Sequence, residues 1–234
     1  MIALKQYFND FVELFYPELC IICNKGEKEI ENAFCMECYA ELPFTDQAYY
    51  KDNEFIAHFK GKIQIEHGAA IFYFSKNSSI QGVIQKLKYK GMSHYGVLLG
   101  KVMGEIIKKS PYYKNVDVII PVPIHKEREK ERGYNQSLML ALGINKELEI
   151  DIAADNLIRI KNTATQTKMS REERIENLKN AFQLKDSATL EGKHILIVDD
   201  VLTTGSTLLE CAHTLMQVPG VSLSFVTLAM GEIV

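Results

Sequence analysis

The stretch ILIVDDVLTTGSTLLE, residues 195–210, decides how the rest of the chain is interpreted. It opens with four branched apolar residues, the pattern of a strand that is buried on both faces. Two adjacent carboxylates, Asp199 and Asp200, follow directly, and hydroxyl residues around Gly205 come before an apolar stretch resumes. The pattern predicts a strand, a polar turn and a helix, with the two acids at the carboxyl end of the strand.

Strand and helix patterns alternate on both sides of this stretch. Runs of apolar residues predict strands at 69–74, 116–123 and 221–230, whereas helical periodicity predicts helices at 95–109, 135–148 and, with many charges, 170–182. Alternation of this kind indicates the α/β class, a parallel sheet with helices on both faces.

The polar turn has the chemistry of a ligand site, because ligands of such sheets bind beyond the carboxyl ends of the strands. Unpaired N–H groups at the start of the next helix suit a phosphate, and Gly205 lets a ligand approach the backbone closely. The two carboxylates would repel a phosphate, but they can accept hydrogen bonds from hydroxyls or face a divalent cation. A phosphorylated sugar offers both groups. The alternative is that the aspartates cap the helix and the threonines only turn the chain.

Four of the five cysteines form two CxxC pairs near the start of the chain: Cys20, Cys23, Cys35 and Cys38. Two such pairs predict one tetrahedral zinc site of four thiolates. Such a site is structural, since no coordination position is left for a substrate. Two disulfides or four unrelated thiols are the alternatives, and a reducing compartment disfavours the disulfides.

Length and composition fit a soluble protein with a small module before its main domain. The chain has 234 residues, and we place an N-terminal helix and zinc-binding module at 1–62 and the main domain at 63–234. A net charge of -3 provides no general attraction to nucleic acid. No signal peptide and no apolar run of about 20 residues is present, so a cytoplasmic protein without a membrane partner is expected.

The segment ILIVDDVLTTGST resembles the motif with which type I phosphoribosyltransferases bind 5-phosphoribosyl 1-diphosphate (PRPP). With the two CxxC pairs, further segments make nearly the whole chain similar to the ComF competence proteins. These segments are KYKG at 88–91, PVP at 121–123, RGYNQ at 132–136, TATQ at 163–166 and RIEN at 174–177.

The resemblance implies roles for individual residues. Asp199 and Asp200 would hold the ribose hydroxyls, and Arg132 would contact the pyrophosphate. The segment that would wrap the 5′-phosphate consists of Val201, Leu202, Thr203, Thr204, Gly205, Ser206 and Thr207. The polar stretch before the RIEN segment suits a hood that closes over the ligand, with Gln166 and Arg171 as its candidate contacts.

The resemblance also implies a phosphoribosyltransferase that uses PRPP with magnesium, acts on an unknown acceptor and serves natural transformation. Single-stranded DNA or a competence helicase would then be its partner, whereas the oligomeric state stays open. Two alternatives remain: a protein that senses PRPP without catalysis, and a DNA-associated adaptor with a degenerate site.

Overall fold

A computed structural model of the chain describes residues 19–25, 33–76, 78–89, 91–161 and 180–231. Contacts divide the chain into two compact units, Met1–Leu42 and Pro43–Val234. The described part of the smaller unit contains one helix, α1 (Met36–Ala40), which begins directly after Cys35. The predicted N-terminal helix lies outside the described residues.

The larger unit contains six strands and six helices within its described residues. The strands are β1 (His67–Phe74), β2 (Val118–Pro121), β3 (Leu157–Arg159), β4 (Phe182–Leu184), β5 (His194–Leu202) and β6 (Ser222–Gly231). The helices are α2 (Glu54–Phe59), α3 (Ser79–Lys86), α4 (Ser93–Lys109), α5 (Lys126–Arg132), α6 (Gln136–Leu148) and α7 (Ser206–Leu215). Short 3₁₀ turns lie at Gln47–Tyr49 and Ala188–Leu190.

Four of the strands form one parallel sheet in the order β1-β6-β5-β2. The strand β5 lies between β6 and β2, with Val198 beside Pro121 and Asp199 beside Thr227. This arrangement confirms the predicted α/β class and places both acids at the carboxyl edge of the sheet. The strands β3 and β4 form a separate antiparallel pair.

Helices cover both faces of the parallel sheet. On one face, apolar residues of α2 and α7, including Phe59 and Leu215, pack with the strand residues Ile195 and Ile197. On the other face, α6 packs against β2 and β5, and α4 packs against α6. The helices α4 and α6 approach closely through glycine: a Cβ on Gly100 would lie 2.1 Å from the carbonyl oxygen of Leu140.

The segment between the cysteine module and β1 belongs to the larger unit. Phe55 and Phe59 of α2 are fully buried in its core, and the Gln47 side chain accepts a hydrogen bond of 3.0 Å from the Ala70 N–H in β1. The division into compact units at Leu42 therefore comes before the predicted boundary at residue 62. The sequence there is mostly polar, but Phe55 and Phe59 lie four residues apart and bury one face of α2.

The structure also corrects the end of one predicted helix. Residues 170–179 of that helix lie outside the described part, but Phe182 stands in β4, where it pairs with Arg159 and is buried. A helix through Phe182 is therefore wrong, since tertiary pairing prevails over the helical pattern there. Among the described helices, none has the length and hydropathy to cross a bilayer.

Candidate functional site

The first acid of the pair is held by the start of α6. The Ser137 hydroxyl, in the first turn of α6, donates a hydrogen bond of 2.9 Å to Oδ1 of Asp199. The same oxygen accepts the Asp200 backbone N–H, also at 2.9 Å. These two bonds fix the direction of the Asp199 carboxylate. Neither aspartate caps α7, whose N-cap is Gly205, so the alternative reading of the pair as a helix cap does not hold.

The negative charges of the two neighbouring carboxylates repel each other. Burial and, after it, the neighbouring charge of Asp200 raise the pKa of Asp199 to about 7, although the hydrogen bonds to its carboxylate oppose the shift. Both side chains remain only partly buried, so a ligand can reach them. A hydroxyl donor or a cation placed beside the pair would relieve this repulsion.

The loop after β5 has the geometry of an anion site. Gly205 adopts the left-handed region with φ 71° and starts the ten-residue helix α7. Before it, the Thr204 hydroxyl lies 2.6 Å from the Ser206 hydroxyl and 3.4 Å from the Ser206 backbone nitrogen. Two hydroxyls and the first turn of α7, whose N–H groups have no partner within the helix itself, thus converge at one helix start.

The structure places the segment predicted to bind phosphate partly in the strand. Val201 and Leu202 are the last residues of β5, and the Leu202 side chain is buried in the core. Thr203 is exposed and Thr207 is partly buried in the first turn of α7. The Leu202 side chain therefore packs in the core and does not face a ligand, whereas the hydroxyls of Thr204 and Ser206 lie at the helix start.

A histidine that the sequence did not single out also lies at this loop. Nε2 of His58, on α2, is 3.0 Å from the backbone carbonyl oxygen of Thr204. A Cβ on Gly205 would meet the same nitrogen at 3.0 Å, so a side chain there would be crowded as well as strained by the positive φ. No local motif marks His58, because its partner is 146 residues further along the chain.

The RGYNQ segment links three elements near the carboxyl edge of the sheet. The Tyr134 hydroxyl donates to the carbonyl of Leu87 at 2.6 Å, just after α3. The Asn135 side-chain amide donates to the carbonyl of Val122 at 3.0 Å, at the end of β2, and its oxygen accepts the N–H of Ser137. The segment thereby positions Ser137 against Asp199 and joins the KYKG and PVP segments to the acid pair.

Two arginines lie within electrostatic reach of the acids. Burial lowers the pKa of Arg132, at the end of α5, and the charge of Asp200 opposes that shift. Burial also lowers the pKa of Arg159 on β3, with Arg128 acting in the same direction and Asp199 opposing it. Arg132 was predicted from its motif, but Arg159 was not: the sequence DNLIRI predicts the short strand that carries it, yet no motif marks the arginine itself. Gln166 and Arg171 lie outside the described residues.

The four cysteines of the smaller unit form a compact cluster. Their Sγ atoms all lie within 4.8 Å of one another, and Cys23 Sγ is 3.7 Å from Cys35 Sγ, so no disulfide is formed. A tetrahedral zinc with bonds of about 2.3 Å places its sulfurs about 3.8 Å apart, which this spacing fits. Burial raises the pKa of Cys20, but backbone N–H groups of Cys23, Cys35 and Ile22 lower it to a net value of about 7, which favours the thiolate that a metal needs.

Part of the chain matches a known domain family. Residues 135–230 match the family model of the phosphoribosyl transferase domain. The match includes α6, the acid pair and the loop before α7, so this part of the chain is similar to that domain.

Its relatives are named as competence proteins and DNA utilization proteins. The chain is 28% identical to competence protein F of Haemophilus influenzae over 86% of this chain and 92% of that protein. It is 25% identical to competence protein ComFC of Bacillus subtilis, over 86% of this chain and 78% of the relative. It is also 35% identical to the DNA utilization protein YhgH of Escherichia coli O157:H7, over 58% of this chain and 60% of that protein. These names confirm the resemblance to the ComF competence proteins.

Solved structures with a similar arrangement include two phosphoribosyl-transferring enzymes. Glutamine PRPP amidotransferase from B. subtilis matches with a TM-score of 0.40 and 18% identity, over 61% of this chain and 30% of that one. A hypoxanthine phosphoribosyltransferase from Staphylococcus aureus matches with a TM-score of 0.37 and 18% identity, over 60% and 68% of the two chains.

Proposed function

We propose that this protein binds PRPP together with a divalent cation and transfers its phosphoribosyl group to an acceptor. The observation that carries the proposal is the juxtaposition of two features at the end of β5. The partly buried pair Asp199 and Asp200 suits ribose hydroxyls, and the helix start at Gly205 suits the 5′-phosphate. PRPP contains both groups at a spacing that neighbouring residues can span.

The chain's own residues divide the work of binding. Ser137 holds the Asp199 carboxylate in place, so that the pair faces the sugar in a fixed direction. Thr204 and Ser206 supply hydroxyl donors to the phosphate, and the first turn of α7 supplies backbone N–H groups. Arg132, near Asp200, contributes positive charge on the side where the pyrophosphate would leave.

The transfer is a displacement at the anomeric carbon. A lone pair of the acceptor forms the new bond to this carbon, while the carbon–oxygen bond to pyrophosphate breaks and its electron pair leaves with the pyrophosphate. The proton of the acceptor passes to water. Positive charge that grows on the ribose ring is stabilised by the nearby carboxylates Asp199 and Asp200. When bound with PRPP, magnesium would neutralise charge on the departing pyrophosphate.

The cysteine cluster is proposed to hold a structural zinc through Cys20, Cys23, Cys35 and Cys38, whose thiolates would leave no open position. The names of the relatives support a role in the handling of incoming DNA, with single-stranded DNA or a competence helicase as the proposed partner. Such a role is also compatible with the second candidate function, in which PRPP is bound as a signal and not consumed.

Two measurements test the proposal. Thermal unfolding with and without PRPP and magnesium tests binding, and a hundredfold excess over the dissociation constant stabilises the fold by about 2.7 kcal/mol. Release of pyrophosphate in the presence of candidate bases and nucleic acids tests transfer. Absence of any stabilisation at millimolar PRPP with magnesium would contradict both functions. Stabilisation without pyrophosphate release for any acceptor supports the sensing function instead.

A further inference from the structure

A groove that the proposed transfer does not use lies between β4 and α7. Its volume is about 680 Å³. One wall of the groove is the strand itself, through Phe182 and Leu184. The opposite wall is one face of α7 and the turn after it, whose residues recur at helical spacing: Glu210, His213, Thr214 and Gln217. A strand and a helix thus face each other across the groove.

The pairing of β4 with β3 leaves the other edge of β4 open. Lys185 N–H donates to the Asn156 carbonyl at 2.8 Å, which fixes the alternation of hydrogen bonds along the strand. In an antiparallel pair only every second residue bonds to the partner strand, so Phe182 and Leu184 direct their N–H and C=O groups away from β3. The described residues supply no hydrogen-bond partner for these groups. Because both residues line the groove, the open edge faces it.

The parallel sheet, by contrast, has both of its edges covered. On the β1 side, Tyr73 N–H donates to the Pro43 carbonyl at 2.9 Å, and on the β2 side, Ala153 N–H donates to the Ile119 carbonyl at 2.9 Å. Proteins cover sheet edges in this way because open edges pair with other chains. The edge of β4 has no such cover among the described residues, and because α7 stands beside it, the groove suits a single extended strand.

The side chains around the groove select the strand that can be added. Phe182 and Leu184 extend to one face of β4, and the buried Val218 also lines the groove, so apolar side chains of an added strand can pack there. No lysine or arginine lines the groove, whereas Glu210 contributes a carboxylate. Its Oε1 accepts the Asn180 N–H at 2.6 Å, which holds the side chain beside the start of β4. A basic side chain of the added strand would therefore meet a complementary charge.

We propose that this groove binds an extended segment of a partner protein, which adds to β4 as an antiparallel strand. The segment bonds to the backbones of Phe182 and Leu184, and antiparallel pairing is favoured because it is more stable per residue than parallel pairing. It carries a lysine or arginine that meets Glu210, with apolar side chains two residues away on the same face of the strand. This partner site goes beyond the proposed transfer and does not depend on PRPP.

Amide hydrogen exchange of the full chain, followed by NMR, tests the open edge. The N–H groups of Phe182 and Leu184 should exchange roughly tenfold faster than the N–H of Lys185, which bonds to β3. Protection of both amides at every protein concentration would mean that the chain covers this edge itself. Protection that disappears on dilution would mean that a second copy covers it. Either result would overturn the assignment of the edge to a partner protein.

Titration of the isotope-labelled full chain with the peptide Ac-Thr-Val-Thr-Lys-Thr-Val-Thr-amide tests binding. Two matched peptides accompany it: one has glutamate in place of lysine, and the other has methylated backbone nitrogens at its lysine and valines, which removes the donors that face β4. The lysine peptide should shift the amide signals of Phe182 and Leu184, slow their exchange, and bind roughly tenfold more tightly than the glutamate peptide. The methylated peptide should not bind.

Glu210→Gln keeps an acceptor for the Asn180 N–H and removes the charge, so this variant should bind the lysine and glutamate peptides equally. Glu191→Gln removes a carboxylate from an exposed position outside the groove and should keep the preference of the wild type for lysine. Absence of binding by the lysine peptide, equal binding of the methylated peptide, or an unchanged preference in Glu210→Gln would each overturn the inference.

Discussion

Nε2 of His58 lies 3.0 Å from the carbonyl oxygen of Thr204, which joins α2 to the loop that precedes α7. The contact connects a segment before the first strand of the sheet to the candidate phosphate site. To bind phosphate, the loop must hold two hydroxyls and a helix start in one geometry. A side chain that holds the loop backbone in this geometry therefore raises the affinity of the loop for phosphate.

The first prediction concerns this contact. His58→Ala should weaken ribose 5-phosphate and PRPP binding by roughly two- to tenfold, the worth of one ordinary hydrogen bond. His213→Ala, on the exposed side of α7, is the matched control and should bind both ligands like the wild type. Isothermal titration measures both affinities. Equal affinities in His58→Ala and the control would show that the loop keeps its geometry without His58.

The second prediction separates the two halves of the candidate site. Thr204→Val removes a donor to a charged group, which is worth about 1.5–3 kcal/mol. It should weaken PRPP, ribose 5-phosphate and inorganic phosphate alike, by roughly ten- to a hundredfold. Asp200→Asn should leave inorganic phosphate binding unchanged or slightly tighter, because a like charge has gone, while it impairs PRPP binding with magnesium. Titration of both variants against the three ligands decides it, and equal losses for every ligand in Asp200→Asn would contradict the assigned role.

The third prediction is a pH dependence of stability. The folded protein raises the pKa of Asp199 from 3.8 to about 7, so its contribution to stability is fully present below pH 3.8 and is lost as the pH rises through about 7. Asp199→Asn removes this dependence. Between pH 4 and pH 8 the free energy of unfolding of the wild type should therefore fall relative to that of the variant, by more than about 1 kcal/mol. Urea unfolding at both pH values measures the difference, and parallel pH profiles would refute the burial of the charge.

The fourth prediction concerns the cysteine cluster. Purified protein should carry about one zinc per chain, and Cys20→Ser should reduce this content strongly while PRPP binding by the larger unit persists. Cys211→Ala is the matched control, because this buried cysteine of α7 is remote in sequence from the cluster and should leave the zinc content unchanged. Elemental analysis of protein prepared without chelator gives the result. No zinc in the wild type would contradict the site.

The fifth prediction tests the close contact of α4 with α6. Gly100→Ala should destabilise the fold by about 1–3 kcal/mol, because the new methyl would collide with the backbone of Leu140. Gly82→Ala, in α3, has no atom within 4 Å of its new methyl and should stabilise by roughly 0.4–1 kcal/mol. Chemical denaturation of the two variants should give opposite signs. If Gly100→Ala left the free energy of unfolding unchanged, the two helices would be able to move apart at no cost in stability.

Local sequence patterns were sufficient to predict those parts of the molecule that are formed by consecutive residues. The strand, acid pair, glycine turn and helix of residues 195–210 appear in this order, because apolar runs and glycine act on neighbouring residues. The same holds for the two CxxC pairs, whose spacing brings the sulfurs together through short turns. The α/β class followed from the alternation of such segments along the chain.

Contacts between distant segments were decided only in the tertiary structure. His58 meets Thr204, Ser137 meets Asp199, and Arg159 comes within reach of the same carboxylate, although none of these residues is close to its partner in the chain. The order β1-β6-β5-β2 and the inclusion of α2 in the larger unit likewise depend on which apolar faces cover each other. The sequence by itself determined the chemistry at the end of β5, since that chemistry resides in consecutive residues. Its surroundings were decided by folding, because burial and charge proximity arise only when separate segments are packed together.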